Sequence, residues 1–569
     1  MFISKCGIGF LGILVLALAG GCNKSDSNVS ATGAAKQTGA NLPVATVHWR
    51  GLSQLANDTN AANFVKLWRM PETERLKAQT LDKLALLPWG LLATNRQALT
   101  NYSALVRANR SASLLRLVLE DMVQVEWYLE IRGAPAAAGQ LALAVRLKPE
   151  RAGVWETNLA TVLESLTGTR RTLVQSGDAD RGWDIKAANS SATLPEMARH
   201  AQLIHSDQWT IFGLAPDQNT VFGELLAKLQ ARQDPFPPSQ KSDWLEMVLE
   251  LPRLTSLLSL GWDVPQDWPR LSLTINGDGK NVLTSGHLIF SKDLAPIEPW
   301  NIPTNIIREP LHSFTAVQGL KPWISSSSAW QNLHAGAPPN QLFCWAQAGS
   351  PFLGYAAAPL ADAHSAMPKI SSRIMDAFNP TLATNRMGKW EAGPNSDGVV
   401  WTRVPIINPF VQSMTTPRGE FLLAGLSQLA LTNSPLPAGT LKELLSQPNV
   451  VYFDREITGP RQEAWLYMSQ LFRLISRRNQ LPPESSSLAW LRACAPLMGN
   501  SATTITKSGP TELTLARNST LGLTAFELQF LADWLESPRF PYQLRAMVDK
   551  MPPFPNRRPG PGGLVPSNR

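Results

Sequence analysis

The same order of apolar runs, glycines and helical stretches occurs twice along this chain, and a recurrence on that scale restricts the fold more than any single residue does. The first pass opens on Val44-Ala45-Thr46-Val47-His48-Trp49 followed by Arg50-Gly51-Leu52; the second opens on Ser313-Phe314-Thr315-Ala316-Val317-Gln318 followed by Gly319-Leu320. Further on, the first carries a strand at Leu141 to Leu147, a helical run at Val154 to Leu166, a strand around Trp183-Asp184-Ile185, and Trp209 to Leu214 before a helix near Phe222 to Leu229. The second repeats the order with a strand at Leu353 to Ala357, a helical run at Ala361 to Phe378, a strand at Val399-Val400-Trp401, and Phe421 to Leu426 before a helix near Leu441 to Leu445. Leu141 and Trp209 are 68 positions apart, as are Leu353 and Phe421. Each pass closes on alternating strands around a turn. These are Leu271 to Ile275 and Thr284 to Phe290 around Asn276-Gly277-Asp278-Gly279, then Thr503 to Thr506 and Glu512 to Leu515 around Ser508-Gly509-Pro510.

The pattern predicts an α+β fold of two related halves, each a mainly antiparallel sheet packed by helices, with the split βαβ or ferredoxin-like character of a strand, helix, strand, strand, helix order. Gly51, Gly213, Gly319 and Gly425 each follow a strand and precede a helix, where a residue without Cβ turns at no steric cost. The halves are expected at 43–297 and 304–545, separated by a stretch that Pro296, Pro299, Pro303 and Pro310 interrupt. Extra helical material at Asn57 to Gln124 enlarges the first half, and a helix from Glu463 to Arg478 belongs to the second. The Pro/Gly-rich tail at 551–569 lacks the apolar content to fold and is expected to be disordered.

With 569 residues, 44% of them hydrophobic and 17% charged, the chain has material for several globular cores. Its net charge of +8 is spread thinly along the chain. Without clustered Lys and Arg, nucleic acid is not an expected partner.

The amino terminus carries Lys5, an apolar run from Ile8 to Ala19, and small residues before Cys22. That run is too short for a spanning helix and has the form of a cleaved secretory signal. Ala19-Gly20-Gly21-Cys22 resembles the lipobox of bacterial lipoproteins. The resemblance implies a signal peptide at 1–21, cut before Cys22, and a membrane anchor of diacylglycerol on the Cys22 thiol with a further acyl chain, such as palmitate, on the new amino terminus. Residues 22–42 read as a flexible linker, and Asn23 in place of aspartate favours the outer over the inner membrane. The body is similar to uncharacterised, duplicated α+β lipoproteins of bacterial envelopes. That likeness implies a lipid-anchored place in the cell envelope, with another envelope protein or cell-wall glycan as partner.

Once Cys6 leaves with the signal and Cys22 is acylated, Cys344 and Cys494 remain, either paired in an oxidising compartment or kept as buried thiols. The seven histidines show no metal-binding spacing, and His200 and His205 are too far apart to stack on one helical face. No metal site is expected. Gly51-Leu52-Ser53 and Gly425-Leu426-Ser427 lie where a nucleophile elbow would, yet Leu55 and Leu429 stand where its second glycine belongs, so Ser53 and Ser427 read as helix N-caps. Phosphate-binding and dinucleotide fingerprints are missing too, so neither a cofactor nor a catalytic residue is assigned. Asn276 to Asn281 looks like a calcium loop but reaches His287 where the closing glutamate belongs, which makes it a hairpin turn.

Nineteen tryptophans are unusual, and Trp262, Trp268, Trp300 and Trp323 gather in the middle of the chain near Asp263 and Asp267, a composition suited to stacking on sugar rings. Trp49, Trp127, Trp183, Trp209 and Trp401 instead occupy core-facing strand positions. The leading expectation is a lipid-anchored, non-enzymatic envelope protein that presents its halves for interaction. The alternative is a ligand- or glycan-binding lipoprotein with its site between the halves.

Overall fold

The computed structural model describes residues 43–541, apart from 90–101, 134–138, 177–179, 188–195, 238–241, 259–263, 327, 332–335, 386, 394–396, 405, 428–442, 445, 476–484 and 538–539. Alternating β-branched and aromatic residues place ten strands before residue 290: β1 Pro43–Trp49, β2 Trp127–Arg132, β3 Gln140–Arg146, β4 Thr172–Ser176, β5 Asp180–Lys186, β6 His200–Ser206, β7 Trp209–Ala215, β8 Leu245–Leu249, β9 Arg270–Gly277 and β10 Val282–Ile289. Ten more follow: β11 Leu311–Gln318, β12 Gln341–Gln347, β13 Gly354–Pro359, β14 Lys389–Ala392, β15 Gly398–Thr402, β16 Phe410–Thr416, β17 Gly419–Gly425, β18 Val450–Ile457, β19 Asn500–Lys507 and β20 Glu512–Ser519. The described helices of nine residues or more are α1 Pro71–Leu86, α2 Arg110–Gln124, α3 Pro149–Thr167, α4 Thr220–Gln230, α5 Ala363–Asn385, α6 Thr458–Ile475, α7 Ser486–Cys494 and α8 Ala525–Glu536.

In space the first ten strands lie in the order β4-β5-β6-β7-β3-β2-β1-β8-β9-β10. The second ten lie in the order β14-β15-β16-β17-β13-β12-β11-β18-β19-β20. Every pairing is antiparallel, and the pairing pattern of the first set recurs strand for strand in the second. The two sets join through their last strands: β10 pairs with β20 over eight residues, from Val282 opposite Ser519 to Ile289 opposite Glu512.

The α+β class and the antiparallel sheet match the sequence reading, but the crossovers are wider than those of a ferredoxin-like layer. Helix α3 connects β3 to β4 across three intervening strands, and α4 connects β7 to β8 across three others. In a split βαβ unit only one strand lies between the connected pair. The four-stranded meander β4 to β7 inserted after α3 accounts for the difference in strand number, since local hairpins add strands at the sheet edge without new long connections.

Period-two alternation along β3 gives its two faces to different cores of the first half. Leu141, Leu143 and Val145 of β3 face α2 and α3, where Leu115, Trp155 and Leu159 meet them, while Ala142 and Ala144 face α4 with Phe222 and Leu225. The first of these cores continues into Trp490, Leu491 and Cys494 of α7 and Leu528, Leu531 and Trp534 of α8, so the halves share apolar packing. The second half has its own aromatic core of Phe314, Phe343, Trp345, Phe410, Phe421 and Phe453. Ile302, Ile306 and Ile307 are buried in it, so the expected separation between 297 and 304 falls against packed structure that belongs with the second half.

The glycines serve two purposes. Gly51 has φ +85°, and a Cβ there would lie 2.5 Å from the Val125 carbonyl carbon, so both conformation and close approach demand glycine. Gly213 and Gly425 lie inside β7 and β17, and the reason there is an aromatic neighbour: a Cβ would come within 2.7 Å of Phe222 and 2.6 Å of Phe410. Ser53 is not an N-cap, because its hydroxyl donates to the Gln124 carbonyl while Gly51 occupies the cap position. The hairpin turn at Asn276 to Asn281 is as expected, with the Asp278 carboxylate accepting from the backbone N–H groups of Lys280 and Asn281 at 2.9 and 2.7 Å.

Candidate functional site

Where the halves meet, a cavity of about 210 Å³ opens between α1, β8 to β10, α7 and α8. Helical spacing puts Thr73, Leu76, Lys77, Thr80 and Leu81 of α1 on the face that forms one wall. Trp49 and Trp127, at the ends of β1 and β2, close a second wall with Phe64 and Trp68, and Leu528, Leu531 and Leu535 of α8 close the third. Five tryptophans line it: Trp49, Trp68, Trp127, Trp244 and Trp490. Phe64 stands between two of them, 5.6 Å from Trp68 and 5.4 Å from Trp244.

Four polar atoms of these walls are turned to the backbone, while the buried indole N–H groups of Trp68 and Trp244 have no hydrogen-bond partner. Trp127 Nε1 donates to the Met122 carbonyl at 2.8 Å and Trp49 Nε1 to the Val123 carbonyl at 3.2 Å. Thr73 and Thr80 donate to Leu67 and Leu76 carbonyls, each at 2.8 Å. Lys77 is the one charged side chain in the lining among the described residues, with Nζ 2.5 Å from Glu74 Oε2. Such a surface removes apolar area from water and offers a cation at its wall.

A second cluster lies in the second half. Cys344, Thr315, Asp454, Thr503 and Arg517 stand opposite one another in successive strands, forming a row across β12, β11, β18, β19 and β20. Thr315 Oγ1 donates to Asp454 Oδ1 at 2.6 Å, Arg517 Nε to Thr503 Oγ1 at 2.9 Å, and the Arg517 guanidinium grips both oxygens of Glu527 at 2.8 and 3.1 Å. Next to the row, Glu456 Oε1 accepts from the Ala525 N–H at the start of α8 at 2.7 Å and from Thr458 Oγ1 at 2.9 Å. Burial raises the pKa of Asp454, against the pull of Thr315 and Arg517. Burial together with the charge of Asp454 raises that of Glu456. A polar cavity of about 210 Å³ bounded by Glu309, His312, Ser313, Glu456 and Asn500 opens at this end.

In the first half the matching row reads Leu129, Val47, Met247, Leu273 and Gly286. One half therefore carries a polar row where the other carries apolar core. Arg517 is committed to Thr503 and Glu527, while Asp454 bonds Thr315 through one oxygen and keeps the other, Oδ2, buried without a hydrogen-bond partner.

The tryptophans singled out from sequence do not converge. Trp268 packs on the edge of the first core, Trp300 meets Phe343 edge-on at 5.9 Å in the second, and Trp323 is 74% exposed on the short helix Lys321–Ser325. None of these three lines the cavity, and Trp262 lies outside the described residues, as does Cys22. Cys344 and Cys494 are free thiols: the first sits in the polar row on β12, the second in the shared core on α7. Burial pushes the Cys344 thiol up to about 11 and the Cys494 thiol up to about 12. Lys77, Trp68, Trp244, Asp454 and Glu456 went unremarked in the sequence, although acids two apart in β18 place both carboxylates on one sheet face. Among the described residues no group of three or more His, Cys, Asp or Glu side chains is arranged to hold a metal ion, and no helix is long and apolar enough to cross a membrane. No protein-family model, curated protein or solved structure matches the chain.

Proposed function

We propose that this chain is a lipid-anchored envelope protein that holds a lipophilic ligand in the cavity between its halves, without catalysing a reaction on it. The observation that carries the reading is the cavity itself: about 210 Å³ bordered by five tryptophans and a leucine-rich helix face, with the Thr73 and Thr80 hydroxyls spent on backbone carbonyls. Enclosed apolar surface of this kind gains roughly 25 cal/mol for each Å² of ligand it removes from water. A glycan is served poorly there, because sugar hydroxyls need convergent polar partners. The lipobox at Cys22 supports tethering to a membrane, where such a ligand would be met. The recurring strand order supports reading the halves as copies of one unit, whose apposition creates the cavity.

The test is a fluorescence titration of the purified protein with N-phenyl-1-naphthylamine, which brightens in apolar surroundings. Saturable binding is expected, and Leu76→Trp, which fills the space beside α1, is expected to weaken it severalfold. Binding that Leu76→Trp and Leu531→Trp both leave unchanged would place the probe elsewhere and overturn the reading.

A further inference from the structure

We infer that the ligand of the cavity is a single-chain anionic amphiphile of the fatty-acid type, with its acid group at Lys77 and its chain among the tryptophans; this rests on the ligand-binding reading above. The lining is mostly apolar and carries charge at one point. Lys77 is its sole charged side chain among the described residues, and its side chain is 15% exposed, which puts the ammonium between the apolar interior and water. Its partner Glu74 is 47% exposed and lies on the outer side.

An ammonium carries three N–H donors. Glu74 Oε2 takes one at 2.5 Å, leaving donors for a second carboxylate. A charge-assisted hydrogen bond at the rim is stronger than a neutral one, so an acid should be preferred over an alcohol of equal chain length. Deeper in, Phe64, Trp68, Trp244 and Leu531 offer mainly carbon surface and aromatic edges to a chain, the unpartnered indole N–H groups of Trp68 and Trp244 apart, and each methylene moved there from water contributes about 0.8 kcal/mol. An ammonium headgroup would meet Lys77 with like charge, which selects against cationic amphiphiles.

The experiment is displacement of N-phenyl-1-naphthylamine from the full-length protein by sodium dodecanoate and by 1-dodecanol. Dodecanoate is expected to displace the probe at about tenfold lower concentration than the alcohol, the size of one charge-assisted contact. In Lys77→Met the ratio is expected to fall to about one while dodecanol is unaffected; in Lys77→Arg, which keeps the charge, the preference is expected to persist. Equal displacement in the unaltered protein, or a preference that survives Lys77→Met, overturns the headgroup assignment while leaving the cavity as a lipophile site. Failure of the probe to bind at all overturns the proposed function, and this inference with it.

Discussion

Asp454 and Met247 occupy the same place in the two halves: each lies on the eighth strand of its set, directly opposite the first strand, at Thr315 and Val47 respectively. One position thus holds a buried carboxyl in the second half and a thioether in the first. An apolar residue satisfies this site in a closely similar frame, so the acid is not required by the strand pairing.

Acid should therefore stabilise this part of the molecule. In the unfolded chain both carboxyls titrate in the ordinary range near about 4, whereas in the fold burial raises Asp454 and burial with the Asp454 charge raises Glu456. The folded state binds more protons in between, so their contribution is complete below the unfolded value and is lost as pH rises through the raised ones. Urea midpoints at about pH 5 and about pH 8 check this. Relative to the double variant Asp454→Asn with Glu456→Gln, the unaltered protein should lose stability towards the higher pH, and a parallel response would disprove the assignment.

Lys83 behaves in the opposite sense. It is 1% exposed, donates to the Leu535 carbonyl at the end of α8, and is pushed down to about 8 by burial, with Glu536 opposing. The folded state gives up this proton before the unfolded chain does. Stability relative to Lys83→Met should rise between about pH 8 and about pH 10, the unfolded lysine range. A gap that narrows on this climb would show that Lys83 stays charged in place.

Two glycines separate steric demand from backbone entropy. A Cβ on Gly182 in β5 would sit 1.8 Å from the Leu203 carbonyl oxygen of β6, so Gly182→Ala must part the strands and should cost more than about 3 kcal/mol. Gly153 in α3 has nothing within 4 Å of such an atom, and Gly153→Ala should stabilise by about 0.5–1 kcal/mol. Thermal or urea unfolding of the pair decides both.

The proposed anchor is tested separately from the body. Cys22→Ala should abolish incorporation of labelled palmitate and release the protein from the membrane fraction, because stable attachment needs the acyl chains together. Acylation that persists in the variant would remove Cys22 from the proposal.

Local pattern made most of the strands legible. Val44 to Trp49, Trp209 to Leu214 and Leu271 to Ile275 alternate or run apolar as strands do, and each is one. What local pattern could not carry was which strands become neighbours: the three-strand crossovers of α3 and α4 depend on contacts distant in sequence. The same limit hid the cavity, since Lys77, Trp244 and Leu531 meet only once the halves dock. Nearness in sequence did not bring Trp268, Trp300 and Trp323 together: Trp268 and Trp300 pack against different cores, and Trp323 lies at the surface. Gly213 and Gly425 were rightly noticed for the wrong reason, as a ring rather than a turn excludes the side chain.

The junction of β10 with β20 imposes an order on how the protein comes into being. His287 and Glu512, which touch across it at 2.6 Å, are separated by 225 residues. A chain made amino terminus first delivers β10 long before its neighbour, and until then the open hydrogen-bonding edge of β10 is a template for any other extended segment. The whole second half must emerge before that edge is closed, so a holding chaperone has its clearest task in the interval between the two strands.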